Sequence, residues 1–250
     1  MQYHFRPDEL KNGITPQESA LDFLSCRRIE LGDDTPSVTI ETGDEEVVLV
    51  SLAGRFTYDF DGVTDDAAFK DMLYVPWRST VSLRSEDAIV MRIGAPSDRA
   101  TDFVHIRFED IEGSEQHQLF GEAEINSLRD VYKAIDDGFN ASRLMVGIGK
   151  GRPGGWTVWP PHEHGDEREE LYVYFDMDGG FGIQCVYESM DDARSFLVRE
   201  GDMVAVPRGY HPNVGSPAGQ IAYVYAMAAR VAGKRSFMDL HFQEEFGDTF

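Results

Sequence analysis

Short apolar runs separated by turn residues constrain the fold of this chain more than any other feature. β-branched and aromatic residues dominate the runs, and Gly, Pro and Asp stand between them. They include two runs around the GDEE turn within residues 37–53, and LMVGIG, ELYVYF, MVAVP and IAYVYAMA in the second half. Turn signals at intervals of roughly ten residues are typical of an all-β sandwich or barrel. We therefore predict an all-β fold.

Helical patterns are few. A Thr-Pro start and spaced apolar residues predict a capped helix over residues 16–24. A second helix is predicted over residues 127–136, where Leu128, Val131 and Ile135 follow a helical spacing.

The charge balance limits the partners that the chain can bind. Asp and Glu number 45 against 23 Lys and Arg, a formal net charge of −22, which disfavours phosphate backbones and excludes nucleic acid as an expected partner. No apolar run approaches the roughly 20 residues that cross a bilayer, and the first residues do not resemble a secretory leader. We expect a cytoplasmic protein without membrane partners, with Cys26 and Cys185 reduced.

The two halves of the chain share a pattern. Residues 74–76 (YVP) are followed by a loop and the run AIVM, and residues 205–207 (AVP) are followed by a loop and the run IAYV. The repeat predicts a duplicated β-domain, with one unit over residues 1–126 and the other over residues 127–250.

The stretch PPHEHGDEREELYVYF predicts a metal site. On an extended strand His162 and His164 point to the same face, towards a barrel interior. After the GDER turn, Glu170 shares a face with two tyrosines, and Glu169 is the alternative ligand if a bulge swaps the faces. His211, in GDMVAVPRGYHP, supplies a third imidazole. Three histidines and one carboxylate suit a divalent first-row metal with open positions for substrate oxygens.

This arrangement resembles the two cupin motifs. The segments ASRLMVGIGKGRPGGWTVWPPHEH, EELYVYF, GFGIQCVY and GDMVAVPRGYHP are similar to the 5-deoxy-glucuronate isomerases of inositol catabolism, a family related to the uronate ketol-isomerases of pectin breakdown. The resemblance implies two tandem cupin (double-stranded β-helix) barrels with a few short helices. Only the second barrel would hold a metal, because VPWRST stands in the first half where the second has VPRGYH.

The resemblance also implies a function. A metal-dependent aldose–ketose isomerase would convert 5-deoxy-glucuronate to 5-dehydro-2-deoxy-gluconate, using one divalent ion. Zinc is expected first, and manganese, iron or nickel would also accept the ligands. The alternatives are a related ketol-isomerase with another uronate, a cupin-type metal oxygenase, and a non-catalytic cupin that binds a sugar acid. A homo-oligomer is expected.

The reaction requires a base and a cation for the substrate carboxylate. Glu170, a hydroxide held by the metal, or a barrel tyrosine such as Tyr174 could move the proton. Arginine offers a fork for a carboxylate, which favours Arg208, with Lys150 as a second candidate. The predicted catalytic residues are Glu170, Tyr174 and Arg208, and the predicted substrate-binding residues are Lys150, Trp159, Gln184 and Arg208.

Overall fold

The structure, a computed structural model, describes residues 1–248 and 250. Strands dominate it. Those of the first part of the chain are β1 (His4–Phe5), β2 (Ser25–Leu31), β3 (Ser37–Glu41), β4 (Glu45–Gly54), β5 (Phe56–Phe60), β6 (Val63–Ala67), β7 (Met72–Val75), β8 (Thr80–Arg84), β9 (Ala88–Pro96), β10 (Val104–Ile106) and β11 (His117–Phe120).

The strands that follow are β12 (Arg129–Ile135), β13 (Leu144–Gly151), β14 (Trp156–Thr157), β15 (His162–Glu163), β16 (Arg168–Tyr174), β17 (Gly182–Val186), β18 (Arg194–Val198), β19 (Met203–Val206), β20 (Asn213–Gly215), β21 (Ile221–Ala229) and β22 (His241–Phe242). The helical elements are the short helices α1 (Pro7–Leu10) and α2 (Phe108–Ile111) and the 3-10 turns Met190–Asp192 and Glu244–Phe246. Among the described residues, no helix is long and apolar enough to span a membrane.

The two halves repeat one topology. A large sheet of the first half has the order β10-β7-β4-β9-β2, and the large sheet of the second half contains β19-β16-β21-β13 in the corresponding places. The small sheets, β3-β8-β5-β6 and β14-β20-β17-β18, correspond strand for strand. This order confirms the prediction of an all-β fold with two barrel-like units.

The large sheets are buried on both faces, which explains their nearly continuous apolar runs. In β16, Leu171 and Val173 pack in a core shared with the large sheet of the first half. Tyr172 and Tyr174 point the other way, into the core between the large and small sheets of the second half. Because successive side chains alternate, Glu170 shares the inward face with these tyrosines.

Two buried glutamates connect the halves reciprocally. Glu46 of β4 accepts hydrogen bonds of 2.6–2.8 Å from the backbone N–H groups of residues 142–144, which lead into β13. Glu169 of β16 accepts bonds of 2.7–2.8 Å from the N–H groups of residues 22–24, which lead into β2. Each half therefore provides a carboxylate that fixes the start of a large-sheet strand of the other half.

Strand register shows why one half has fewer metal-ligating residues. Val47 pairs with Val75 as Glu170 pairs with Val206, so an apolar side chain occupies the place of Glu170 in the first half. Five residues beyond the paired valine, His211 stands in the second half, and the first half has a threonine at the same distance.

Neither predicted helix forms, and both predictions are wrong. Residues 127–136 contain β12, because β11 and β13 flank the segment and supply strand partners on both sides. Residues 16–24 begin with a single turn, in which the N–H groups of Glu18 and Ser19 bond to the carbonyl of Thr15. The chain then extends to meet Glu169, and that tertiary contact overrides the local helical propensity.

Two strands that precede the predicted division at residue 126 pair with strands that follow it. β1 pairs with β19, and β11 pairs with β12, so residues before 127 extend the large sheet of the second half. The domain bounds of 1–126 and 127–250, and the homo-oligomer, stay predictions.

Candidate metal centre

Four side chains from the second half converge inside its barrel. His162 belongs to β15, His164 follows it, Glu170 belongs to β16, and His211 ends the loop after β19. All four are buried, and His211 is fully so. One ring nitrogen from each histidine lies within 4.8 Å of the other two. Three imidazole nitrogens this close together can bind one divalent metal.

Glu170 completes the group. Its Oε2 lies 3.2 Å from His164 Nε2 and 3.1 Å from His211 Nε2. Although burial alone would raise the pKa of Glu170, its contacts with the two histidines hold that pKa well below the ordinary value. Burial, together with the neighbouring histidines, lowers the pKa of His162, and burial lowers the pKa of His164. A neutral set of imidazoles and an ionised carboxylate is the state that a cation requires.

The hydrogen bond of His211 tests whether the group fits a metal. Its Nδ1 lies 2.8 Å from the carbonyl oxygen of Gly209, so Nδ1 carries the proton and donates it. In the neutral ring Nε2 presents a lone pair; it has no hydrogen-bond partner among the described residues and lies 3.1 Å from a carboxylate oxygen. His162 Nδ1 is also buried without a partner in the part of the chain that the structure describes. A cation between these groups would satisfy them, so the residues fit a divalent metal.

The choice between two adjacent glutamates follows from strand alternation. Glu170 faces the histidines, whereas Glu169 faces the other half and binds residues 22–24. Burial raises the pKa of Glu169, and its three N–H donors oppose part of that rise. The geometry therefore favours Glu170 as the candidate ligand.

The site borders a small cavity of about 50 Å³. Three of the four candidate ligands line it together with aromatic and aliphatic side chains, and His211 lies behind this lining. The lining residues are Phe120, Arg129, Val131, Gly149, Val158, His162, His164, Glu170, Tyr172, Tyr223, Tyr225, Met227, Phe237, Leu240 and Phe250.

Two of the predicted site residues lie behind the histidines rather than on the cavity. The hydroxyl of Tyr174 donates to Gln184 Oε1 at 2.5 Å. Gln184 Nε2 donates to the backbone carbonyl of His211 at 2.5 Å. Both side chains are fully buried. Their contacts orient His211, and they do not place either group against a substrate.

The other predicted contacts lie elsewhere. Arg208 is half exposed and forms an ion pair of 3.0 Å with Asp166. Lys150 is half-buried on β13, outside the cavity lining. Trp159 packs against Trp156 and Phe246 with tilted rings. The structure does not bring these three predicted residues to the candidate metal centre.

The sequence analysis missed several groups that do reach the cavity. Tyr172 and Tyr225 line it, and the hydroxyl of Tyr225 is buried without a hydrogen-bond partner among the described residues. The sequence analysis placed Tyr172 on the inward face with Glu170 by strand alternation, but did not name it as a site residue. Arg129 was not identified, because its segment was interpreted as a helix.

Topology and candidate ligands together define the class of protein: a bicupin with a candidate metal centre in its second half. The profile of the KduI/IolB family matches residues 4–246, and the chain belongs to this family.

Named relatives support the assignment. The 5-deoxy-glucuronate isomerase of Bacillus subtilis subsp. natto is 27% identical over 252 residues, covering 92% of this chain and 89% of that protein. The 4-deoxy-L-threo-5-hexosulose-uronate ketol-isomerase 2 of Rhizobium meliloti (strain 1021) is 27% identical over 190 residues, which cover 73% of this chain and 65% of that protein. The prediction that the chain is an isomerase is confirmed by these relatives.

Solved structures show the fold. An IolB-like protein from Salmonella typhimurium LT2 superposes with a TM-score of 0.81 at 21% identity, covering 98% of both chains. An oxalate decarboxylase from Bacillus subtilis, described with Mn(II) centres, superposes with a TM-score of 0.61 at 15% identity, covering 90% of this chain and 76% of that chain. The prediction of a cupin fold is confirmed.

Proposed function

We propose that the protein is a metal-dependent aldose–ketose isomerase that converts 5-deoxy-glucuronate to 5-dehydro-2-deoxy-gluconate. The observation that carries the proposal is the cluster of His162, His164, Glu170 and His211 in a KduI/IolB family chain, three members of which line a cavity. A relative matched over most of both chains is named for that substrate.

The chemistry of the site agrees with this reaction. A divalent ion at the histidines would polarise two adjacent substrate oxygens and stabilise the negative charge of an enediol. Glu170 is the only carboxylate among the described residues of the lining. Burial and the proximity of Glu170 raise the pKa values of Tyr172 and Tyr225, so both hydroxyls stay protonated and can donate to a substrate oxygen. Since the hydroxyl of Tyr225 has no hydrogen-bond partner in the described part of the chain, it is the hydroxyl most available for that role.

The cavity must enlarge before a sugar acid binds. At about 50 Å³ it is several-fold smaller than the roughly 300 Å³ at which ligand pockets begin. Phe237, Leu240 and Phe250 close it on the C-terminal side. Arg168 holds their segment, donating hydrogen bonds to the carbonyls of Ser236 and Asp239. The proposed function therefore requires the C-terminal segment to move away during substrate entry.

The test is conversion of 5-deoxy-glucuronate by zinc-loaded protein in D₂O without oxygen, followed by proton NMR. Loss of the anomeric signal with growth of ketose resonances is the expected result, and deuterium at C1 or C2 would report exchange of the transferred proton. An unchanged spectrum with zinc bound would reject this substrate. Activity that appears only with oxygen would replace the isomerase by an oxygenase.

A ligand variant and a neutral variant control the experiment. His164→Ala is expected to abolish turnover while the far-ultraviolet circular dichroism spectrum stays unchanged. Arg208→Gln, which changes an exposed cation away from the cavity, is expected to retain wild-type turnover. Turnover that survives His164→Ala would reject the metal assignment.

A further inference from the structure

A buried arginine forms part of the cavity wall. Arg129 begins β12 and is 3% exposed. It lies on the same face of the strand as Val131, two residues along, and both line the cavity. Among the described residues, Arg129 is the only arginine or lysine in that lining.

The guanidinium of Arg129 has no anionic partner in the described part of the chain. Its Nη1 donates to the carbonyl of Trp159 at 3.1 Å and makes a longer contact of 3.5 Å with the carbonyl of Ser127. The guanidinium carbon lies 4.7 Å from the centre of the Phe250 ring and 5.7 Å from the centre of the Phe120 ring. These carbonyl and ring contacts offset part of the cost of burying the charge of Arg129, but none of them pairs the guanidinium with an anion.

Some arginines of the second half have carboxylate partners, whereas Arg168 and Arg235 resemble Arg129 in donating to backbone carbonyls but do not line the cavity. Arg208 pairs with Asp166, and Arg152 pairs with Asp130. Burial lowers the pKa of Arg129, yet an arginine remains protonated at neutral pH. Arg129 is therefore a permanent cation with no carboxylate partner among the described residues, and it faces a cavity that also holds candidate metal ligands. Such a cation is suited to bind an anionic group of the ligand itself.

Resting on the proposed function, we propose that Arg129 binds the carboxylate of the sugar acid, while the three histidines face the reacting end of the same molecule. A guanidinium recognises a carboxylate through paired hydrogen bonds, and a site withdrawn from water strengthens them. Phe250 covers Arg129, so movement of the C-terminal segment would expose the cation as it opens the cavity. Arg129 would then select acids over neutral sugars.

The experiment measures binding separately from turnover. Zinc-loaded wild type, Arg129→Gln, Arg129→Lys and the control Arg208→Gln are titrated with D-glucuronate and with D-glucose by calorimetry. Wild type and Arg208→Gln are expected to bind D-glucuronate at least about tenfold more tightly than D-glucose, because a charged hydrogen-bonded pair contributes a factor of that order or more. Arg129→Gln is expected to remove this preference, with zinc content unchanged.

Arg129→Lys keeps the proposal testable if Arg129→Gln does not fold. Lysine retains the charge without the fork, so the affinity for D-glucuronate is expected to fall about fivefold or more, with D-glucose unaffected. A folded Arg129→Gln that keeps the full preference would overturn the proposal. So would a wild type that lacks the preference, or an Arg129→Lys variant that binds D-glucuronate like the wild type.

Turnover of 5-deoxy-glucuronate distinguishes this proposal from the function on which it rests. If the wild type does not turn over that substrate but shows an Arg129-dependent preference for the acid, the isomerase assignment fails and Arg129 stands. If the wild type is active and Arg129→Gln keeps its KM, the role of Arg129 fails and the isomerase stands.

Discussion

Two adjacent glutamates provide a strict test of the site, because one change should affect stability and the other metal binding. Glu169→Gln replaces one carboxylate oxygen by an amide, although Oε1 and Oε2 together accept three backbone N–H bonds. At least one N–H group then loses its acceptor, at about 1–3 kcal/mol, and the remaining bonds lose their charge, at about 1 kcal/mol each. The free energy of unfolding is expected to fall by about 3 kcal/mol.

The assay is thermal unfolding of protein freed of metal with a chelator. For a chain of this size a loss of about 3 kcal/mol corresponds to a fall in Tm of roughly 6–12 °C. Glu46→Gln, at the corresponding position of the first half, is the matched control. It is expected to lower Tm by a similar amount, since Glu46 also accepts three backbone N–H bonds. Neither change is expected to alter zinc affinity by more than about twofold.

Glu170→Gln should do the reverse. The carboxylate makes its polar contacts with histidines rather than with the backbone, so no backbone N–H group loses its acceptor, and metal-free Tm is expected to fall by less than in Glu169→Gln. Zinc affinity, measured against a chelating dye, is expected to fall roughly 100-fold or more, beyond the 10- to 100-fold typical of outer-shell changes. Loss of zinc by Glu169→Gln with normal binding by Glu170→Gln would reverse the ligand assignment and refute the argument from strand alternation.

Three further outcomes are expected. Tyr225→Phe should lower kcat about 100-fold or more with zinc content unchanged. Tyr174→Phe should keep kcat within a few-fold of the wild type, because the hydroxyl of Tyr174 is bound to Gln184. Equal effects of the two changes in the NMR assay would contradict this distinction. The pKa values of His162 and His164 are lowered in the folded protein, so the unfolded chain binds more protons than the folded chain below about pH 6.5. The free energy of unfolding of the metal-free protein should therefore fall as the pH drops from about 6.5. Urea titrations that show a flat or opposite dependence on pH would refute this. Gly149→Ala should lower Tm, because its Cβ would lie 2.4 Å from the ring of Tyr223, and an unchanged Tm would show that the ring moves freely.

The strands with long apolar runs could be predicted because they are buried on both faces. β4, β9, β16 and β21 correspond to runs that the sequence analysis identified. The edge elements were harder to identify. β8 (TVSLR) exposes alternate residues and was interpreted as part of a polar turn. β12 was predicted as a helix, since only its pairing with β11 and β13 defines it as a strand.

The candidate ligands could be predicted because local geometry determines them. His162 and His164 are two residues apart, and the face of Glu170 follows from alternation within one strand. The remainder of the cavity depends on contacts that spacing does not encode. Phe237 and Phe250 reach it from the C-terminal segment, and Arg129 from a strand at the other side of the sheet. The role of Arg208 stays a prediction, and its ion pair with Asp166 is another contact that spacing does not encode.

Closure of the cavity can be tested with a reversible crosslink. β22 pairs with β15, and Glu163 lies opposite His241. Antiparallel partners have Cα atoms roughly 4.5–5.5 Å apart, within the range that a disulfide spans. Oxidised Glu163→Cys/His241→Cys would hold the C-terminal segment against the strand that carries His162. We expect the oxidised protein to bind zinc but to lose at least about 90% of its turnover, because a cavity of about 50 Å³ does not admit a uronate.

Reduction separates the crosslink from the substitutions that create it. Turnover should return when the disulfide is reduced, and each single cysteine variant should be insensitive to oxidant. These single variants also control for Cys185, which is partly exposed, and for Cys26, which is buried. An oxidised double variant that retains full turnover would show that the substrate enters without displacing β22. The path would then have to lie on the side of Phe120 and Val158, and the cover that Phe250 forms over Arg129 would have to be bypassed rather than removed.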